Sequence, residues 1–397
     1  MKKISSLALI ALPLLLTACG GGSNNGGGST EDIYAEGAAM TNEQLLEKAK
    51  AESGNFVAYG TSSRISKAVT NFIAKYPELG LNDTTAKGSK LNDSQIYTLL
   101  SSEYSAKNNS QGASFVLLQD SATLANYRSY SNMLVNYVSN TFKTGVAEDD
   151  LVPLVHQYCD KLFIWNNTAG ESAPAFTNVW QLTEAAFKDK IFFKSPVSEQ
   201  VNMNFLITLT SPSWVAKMEA AYKAYFNTDY VKSEAYETAS HEWIAKFLGN
   251  ADITSYTSDT KMAAGVASPT NADKAGLFVL SKLRDESVAD ENLTVGAWTE
   301  QGITPFAGFM YALYAQITSA APRPYTAMLF TNYLMSEEGF APWGEEIGAY
   351  SGNQTIAADE ADQKTLAQYK DMLVVEDGEY INTVKTTVTD WITQLIA

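Results

Sequence analysis

Cysteine and histidine are scarce in this sequence, with two of each in 397 residues. His241-Glu-Trp-Ile-Ala245 opens like a zinc-protease helix, but Ala245 stands where the second histidine ligand is required. Neither His156 nor His241 lies near a Gly-x-Ser-x-Gly elbow, and the Ser62-Ser63 pair has Thr61 and Arg64 where that motif needs other spacing. Gly60 stands alone before its helix, so the Gly-x-Gly-x-x-Gly dinucleotide fingerprint is missing as well. These absences remove the common metal, triad and dinucleotide signatures, though acid–base sites built from carboxylates leave no motif. Positive charge is also in deficit. The chain has 28 Lys and Arg against 44 Asp and Glu, and the resulting −16 argues against nucleic acid and against a broad grip on anionic lipid. Past the N-terminus, no stretch approaches the roughly 18 apolar residues of a membrane-spanning helix.

The one long apolar run, Leu7 to Leu16, follows Lys2-Lys3 and ends in Leu16-Thr17-Ala18-Cys19. That is the charge, length and small-residue ending of a secretory signal, and the run is too short to cross a bilayer. The cysteine directly after the small residues resembles the lipobox at which bacteria attach diacylglycerol to a thiol. The expectation is a signal peptide over 1–18 and lipidation at Cys19. The lipid would then anchor an extracytoplasmic protein to the bacterial cell membrane or outer membrane. Residues 19–40 are expected to form a flexible leash, since Gly20 to Ser29 mixes Gly, Ser and Asn with almost nothing apolar. With Cys19 lipidated, Cys159 has no partner for a disulfide. Beside Leu162 and Phe163 it reads as a small core residue.

From near Thr41 onward about 350 residues remain, enough for two or three domains or one two-lobed unit. At 45% hydrophobic and 11% aromatic, they can bury a large core. Asn55 to Gly60 is a β-like run stopping at Thr61-Ser62-Ser63, and Ile65, Val69, Phe72 and Ile73 then recur at helical spacing up to Pro77. The pattern repeats. Ala113 to Gln119 ends at Asp120-Ser121, Lys161 to Trp165 at Asn166-Asn167, and Lys190 to Lys194 at Ser195-Pro196, before a helical stretch with Phe205, Leu206 and Leu209. Ile253 to Tyr256 and Gly276 to Leu280 read as later strands around a helix from Ser258 to Val266. Helices are expected over Pro324 to Met335, Glu337 to Ile347, Asp359 to Leu373 and Tyr380 to Ile396. Strands alternating with helices imply an α/β fold with largely parallel sheets covered on both faces.

Thr61, Ser62 and Ser63 sit where a helix N-terminus offers N–H donors and hydroxyls to an anionic or polar ligand, although simple N-capping by either serine needs no ligand. Asp120, Ser121 and Asn166 also fall at strand ends, where open α/β sheets gather ligands. Ser195 joins them, and Trp165, Trp298, Phe306 and Tyr311 are candidates for aromatic lining, each also suited to the core.

The order of segments then resembles the extracellular solute-binding proteins of ABC importers. Phe72-Ile-Ala-Lys-Tyr-Pro77, Phe163-Ile-Trp-Asn-Asn-Thr168, Asn178-Val-Trp-Gln-Leu-Thr183 through Ser195-Pro196, Trp243-Ile-Ala-Lys-Phe-Leu248, Ala264-Gly-Val-Ala267 and Ala321-Pro-Arg-Pro-Tyr-Thr-Ala-Met-Leu-Phe330 with Leu334-Met-Ser-Glu-Glu-Gly339 resemble that family's successive segments over nearly the whole mature chain. The closest branch carries ferric ion, polyamines, thiamine, phosphonates and sugar phosphates. The resemblance implies a two-lobed periplasmic-binding-protein-like fold of type II, each lobe a mostly parallel sheet flanked by helices. It implies lobe 1 over 41–160 plus about 294–350, lobe 2 over 161–293, and C-terminal helices over 351–397 packing on both. A small polar or anionic solute would be held between the lobes at Thr61, Ser62, Ser63, Asp120, Ser121, Asn166, Ser195 and Trp298, in a monomer with no cofactor and no catalytic step. The partners would be an ABC permease and its ATPase. Ferric members carry adjacent tyrosines after a strand like Ala275-Gly-Leu-Phe278, whereas here the corresponding residues are about Ser281 and Lys282, which disfavours iron(III). A lipid-anchored extracytoplasmic enzyme and a structural or adhesive lipoprotein are the rival classes.

Overall fold

A computed structural model describes residues 30–106, 110–129, 131–170, 174–285, 288, 292–344 and 347–397. The signal segment, Cys19 and the glycine-rich stretch to Ser29 lie outside the described residues. The leash expected to reach residue 40 is shorter, because α1 (Thr30–Ala38) is helical and packed. Its Tyr34 is buried and donates to the Thr318 carbonyl at 3.4 Å. Gly37 leaves room for the tip of the Met328 side chain, whose Sδ would lie 2.3 Å from a Cβ at that position. A nine-residue helix with one buried aromatic leaves too weak a periodicity to read in sequence.

After α2 (Asn42–Ala49), held by a Thr41–Gln44 capping box, three strand-then-helix units build the first lobe. They are β1 (Phe56–Gly60) with α3 (Arg64–Lys75), β2 (Ala86–Lys90) with α4 (Asp93–Ser105), and β3 (Phe115–Leu118) with α5 (Ser121–Ser129). The strands pair in parallel in the order β2-β1-β3. The apolar stripe of α3, Ile65, Val69 and Phe72, lies on this sheet. Phe56, Phe72 and Phe330 pack there with centroids 5.0 to 5.8 Å apart. Gly88 permits the contact of β2 with α3, since a Cβ would lie 2.5 Å from the Ile65 carbonyl oxygen.

A short β4 (Leu134–Val135) precedes β5 (Val155–Asn166), which is much longer than the Lys161 to Trp165 run expected. The second lobe follows as β6 (Ile191–Phe193), α6 (Gln200–Leu209), α7 (Pro212–Phe226), α8 (Ala239–Asn250), α9 (Asp259–Ala267), β7 (Ala275–Val279) and β8 (Leu293–Val295). The chain returns along β9 (Gly308–Thr318), and the remainder is α10 (Pro324–Leu334), α11 (Glu337–Gly344), β10 (Ala349–Ser351), α12 (Leu366–Met372), β11 (Val374–Val375) and α13 (Gly378–Leu395).

One sheet in the order β2-β1-β3-β9-β5-β7-β6 runs through both lobes. Its outer pairs are parallel, β1 with β2 and β3 in one lobe and β6 with β7 in the other. β5 and β9 cross between the lobes, antiparallel to each other from Val155↔Tyr314 to Leu162↔Gly308. β8 pairs with Ile164 to Asn166, so residues 293–295 lie beside the second lobe's end of β5, and the chain crosses back at β9 rather than near 294.

Two expected elements differ. Ile253 to Tyr256 is a turn and not a strand, because the Asp252 carboxylate accepts the N–H groups of Thr254 and Ser255 and both their hydroxyls. The helix expected from Asp359 begins only at Leu366. The Asp359 carboxylate binds the Ala361 N–H, and a Thr365–Gln368 capping box sets the start. We expect Gly88→Ala to lower stability by about 1–3 kcal/mol through the forced shift of backbone. Gly249→Ala, with nothing within 4 Å of the added Cβ, should change little. Urea midpoints of the two variants check this.

Candidate functional site: the interlobe cleft

The C-terminal ends of β1 and β3 face those of β6 and β7 across a cleft floored by the middles of β5 and β9. Side chains alternate along a strand, so Gln157 and Cys159 of β5 and Tyr311 and Leu313 of β9 present themselves to the cleft. An inner chamber of about 150 Å³ lies on this floor. Lobe 1 contributes Thr61, Ser62 and Arg64 from the β1–α3 turn, with Gln119 from the end of β3. Lobe 2 contributes Val279, Ser281 and Lys282 from the end of β7. Gln119 also borders an outer chamber of about 740 Å³, between Asp93, Tyr97, Asp120 and Tyr127 of lobe 1 and Ser198, Glu199 and Gln200 of lobe 2.

The inner chamber is lined by two cations from opposite lobes and by no Asp or Glu among the described residues. Lys282 forms no ion pair among them. Gln157, only 3% exposed, has its amide nitrogen 2.8 Å from Cys159 Sγ and its carbonyl oxygen without a partner among the described residues. Rotating the amide exchanges the two atoms, and in either setting one buried polar atom of Gln157 lacks a partner. Burial, with Asp160 adjacent, pushes the Cys159 thiol up to about 12, so it stays protonated.

The second lobe's wall is stiffened by one fully buried and three partly buried charges. Lys161 Nζ lies 3.2 Å from Asp259, 3.5 Å from Glu199 and 3.1 Å from the Asn202 carbonyl. Lys194 pairs with Glu199 and lies 3.5 Å from Asp259. Burial works against the Lys161 ammonium, but the Asp259 and Glu199 carboxylates outweigh it and hold its pKa above the usual lysine value. The network ties the starts of α6 and α9 to the crossing strand.

Thr61 and Ser62 line the inner chamber, and Ser62 Oγ accepts the Arg64 N–H at 3.3 Å, a local cap-like bond. Ser63 is exposed at the N-cap of α3 with no side-chain cap bond, beside the chamber and outside its lining. Asp120 lines the outer chamber, where it accepts from the Thr123 N–H and hydroxyl and from Lys385. Ser195 lies half-buried two residues past β6, its carbonyl accepting the Ser198 and Glu199 N–H groups and so shaping the loop that enters the outer chamber.

Three expected residues are not brought to the cleft. Ser121 turns toward Glu376 and donates to it. Trp298 donates its indole N–H to Tyr369 at 2.8 Å. Asn166 is buried at the far end of β5, its amide donating to the Val266 carbonyl at 2.8 Å and its oxygen accepting the Thr168 N–H. The physical reason is direction: β5 leaves lobe 1 and ends deep in lobe 2, so its C-terminal end points away from the cleft. Of the aromatic candidates, Tyr311 reaches the inner chamber, Phe306 is core, and Trp165 and Trp298 lie off the cleft. Gln119, Gln157 and Arg64 carried no signal in the sequence, since nothing short of the assembled strands marks them. His156 is enclosed by Phe340 and Trp343, and His241 packs on Trp391.

Two α/β lobes on a pair of crossing strands, with a cleft between them, define the fold of the type II periplasmic binding proteins. No protein-family model matches the chain, and no curated protein matches it at a significant level. Among solved structures, the chain is similar to the periplasmic binding protein AfuA from Actinobacillus pleuropneumoniae with fructose-6-phosphate bound. The TM-score is 0.61 at 15% identity, over 86% of this chain and 99% of that one. It is similar to iron-bound HitA from Pseudomonas aeruginosa with a TM-score of 0.60 at 13% identity, over 86% and 99%. An ABC transporter from Clostridium perfringens matches at TM-score 0.56 and 15% identity, over 86% and 100%.

Burial pushes the Asp93 carboxyl from 3.8 up to about 7, with Asp120 adding to the rise, and the buried Glu376 from 4.5 up to about 8. Both groups hold protons more tightly folded than unfolded, so their contribution to stability is complete below about pH 4 and is lost as pH rises toward 8. His156 acts in the opposite sense. Burial pushes it down to about 3, so its contribution is present above 6.5 and lost as pH falls. The melting temperature should therefore fall between pH 5 and 8.5, and Asp93→Asn with Glu376→Gln should flatten that slope. An unchanged slope in the double variant would refute the assignment.

Proposed function

We propose that the protein is the lipid-anchored substrate-binding protein of an ABC importer, capturing a small anionic solute between its lobes and delivering it to the permease. One observation carries the anion: Arg64 and Lys282, from opposite lobes, border a chamber whose lining includes no Asp or Glu among the described residues, in a chain of net charge −16. Arg64 is the first residue of α3, where the helix dipole adds to its own charge. Ser62, Thr61, Ser281 and Tyr311 supply hydroxyls, and the Gln157 amide supplies a further polar group. An anion touching both lobes favours the closed arrangement by its extra affinity for it, which is the signal a permease would read.

HitA is iron-bound, but this chamber offers one phenol, Tyr311, with Ser281 and Lys282 at the positions compared above with paired tyrosines. Iron(III) prefers anionic oxygen ligands, and a chamber bearing Arg64 and Lys282 disfavours it. AfuA, with fructose-6-phosphate bound, shows that this fold accommodates a phosphate ester.

Calorimetric titration of the chain with Cys19→Ala against inorganic phosphate, phosphate monoesters, iron(III) and polyamines tests the proposal. An anion should bind, and Arg64→Met and Lys282→Met should each weaken it about ten-fold or more, as the loss of a charge-assisted hydrogen bond requires. Binding of iron(III) or a polyamine alone, or unchanged anion affinity in both variants, would refute it. Separately, Cys19→Ala should release the protein from membranes or leave an unprocessed precursor, which fractionation and mass spectrometry would detect.

A further inference from the structure

We propose that the C-terminal helix is a closure strap: carried by lobe 2, it holds lobe 1 through Lys385 and so sets how far the cleft opens. This inference rests on the two-lobed arrangement and is independent of which solute binds.

The helix is seated mainly on lobe 2. α13 buries Ile381, Val388 and Ile392 and packs against α6 and α8, and it also touches α5 of lobe 1. Tyr380 shares a hydrogen bond with Thr210 at 2.9 Å, and Trp391 packs on His241 with ring centroids 4.8 Å apart. β11, just before it, pairs with Phe309 and Met310 on the crossing strand β9. From this base Lys385 reaches the first lobe, with Nζ 3.2 Å from Asp120 Oδ2 and 3.0 Å from Thr123 Oγ1. Asp120 itself binds the Thr123 N–H at 3.2 Å, so Lys385 grips the first turn of α5 at the end of β3. The ammonium and Asp120 both line the outer chamber, which places the contact on the cleft wall.

A second link lies closer to the crossing strands. Glu376 donates its backbone N–H to the Met310 carbonyl at 3.0 Å, and its carboxyl accepts from Ser121 of lobe 1 and from Asn204 of lobe 2 at 2.9 Å. Its lobe-1 partner Ser121 is the residue after Asp120, so the strap holds the start of α5 at two neighbouring points, Glu376 on Ser121 and Lys385 on Asp120.

The test needs no ligand. Spin labels on Ser63→Cys and Val197→Cys, both exposed and on opposite lobes, report the interlobe distance by pulsed electron resonance in the chain with Cys19→Ala. Lys385→Met should move the ligand-free distribution to longer distances by several ångströms, and Lys385→Arg should leave it in place. Asp120→Asn should reproduce the shift, and adding Lys385→Met to it should move the distribution no further. A Lys385→Met protein with a lowered melting temperature and an unchanged distance would make Lys385 merely structural and overturn the proposal. Should Lys385→Met fail to fold, Asp120→Asn alone decides, and an unchanged interlobe distance in that variant would do the same.

Discussion

The antiparallel ladder between β5 and β9 is the constraint on which both lobes depend. Each strand belongs to one lobe at one end and to the other lobe at the other end. β9 pairs with β3 through Phe115↔Ile317, and β5 pairs with β7 through Leu162↔Phe278. The strand ends that supply the cleft are therefore aimed at each other by a shared backbone, and not by contact between two separately folded surfaces. Lys161 shows what this requires energetically. A fully buried ammonium on the crossing strand is tolerated because Asp259, Glu199 and Asn202 surround it, and unpaired it would cost several kcal/mol.

The cleft inverts the electrostatics of the whole molecule. The surface is acidic, yet the inner chamber presents Arg64 and Lys282, while Asp93 and Asp120 line the outer chamber. Asp93 and Glu376 are pushed toward their neutral forms by burial, which lessens repulsion with Asp120 and leaves that carboxylate to Thr123 and Lys385. Acidic composition and a chamber bordered by cations are compatible because Coulomb forces beyond about 10 Å are screened by salt, whereas a recessed site is governed by the few charges at its walls.

Burial in the middle of β5 is unusual in kind. His156, Gln157, Asp160 and Lys161 fall within six residues, are buried and polar, and only Lys161 is fully surrounded by partners. Asp160 is neutralised by its own burial, its pKa well above the normal carboxyl range, and His156 is held neutral in the same way. Polar groups left unpaired on the floor of a cleft carry a standing cost, which a bound solute or water at Gln157 relieves.

Much of the local structure was legible in order. Phe56 to Gly60 followed by Ile65, Val69 and Phe72 changes from period two to the helical period at a turn of Thr and Ser, and that unit folds as the pattern implies. The α/β class follows from its repetition, and so do Thr61 and Ser62 at the mouth of a strand. β9 left no such trace, because Gly308 to Thr318 is buried along nearly its whole length and shows no alternation of apolar and polar residues. Without β9 there is no crossing pair, and without the crossing pair the direction of β5 is unknown. Asn166 then stands at a strand end like Asp120, although one faces away from the cleft and the other into it. Residue types and their spacing determine helices, strands and caps, since those depend on neighbours within a few positions. Which strand ends converge, and hence that Gln157, Tyr311, Arg64 and Lys282 form one chamber, was decided only by the tertiary fold, because it depends on pairings between residues more than a hundred positions apart.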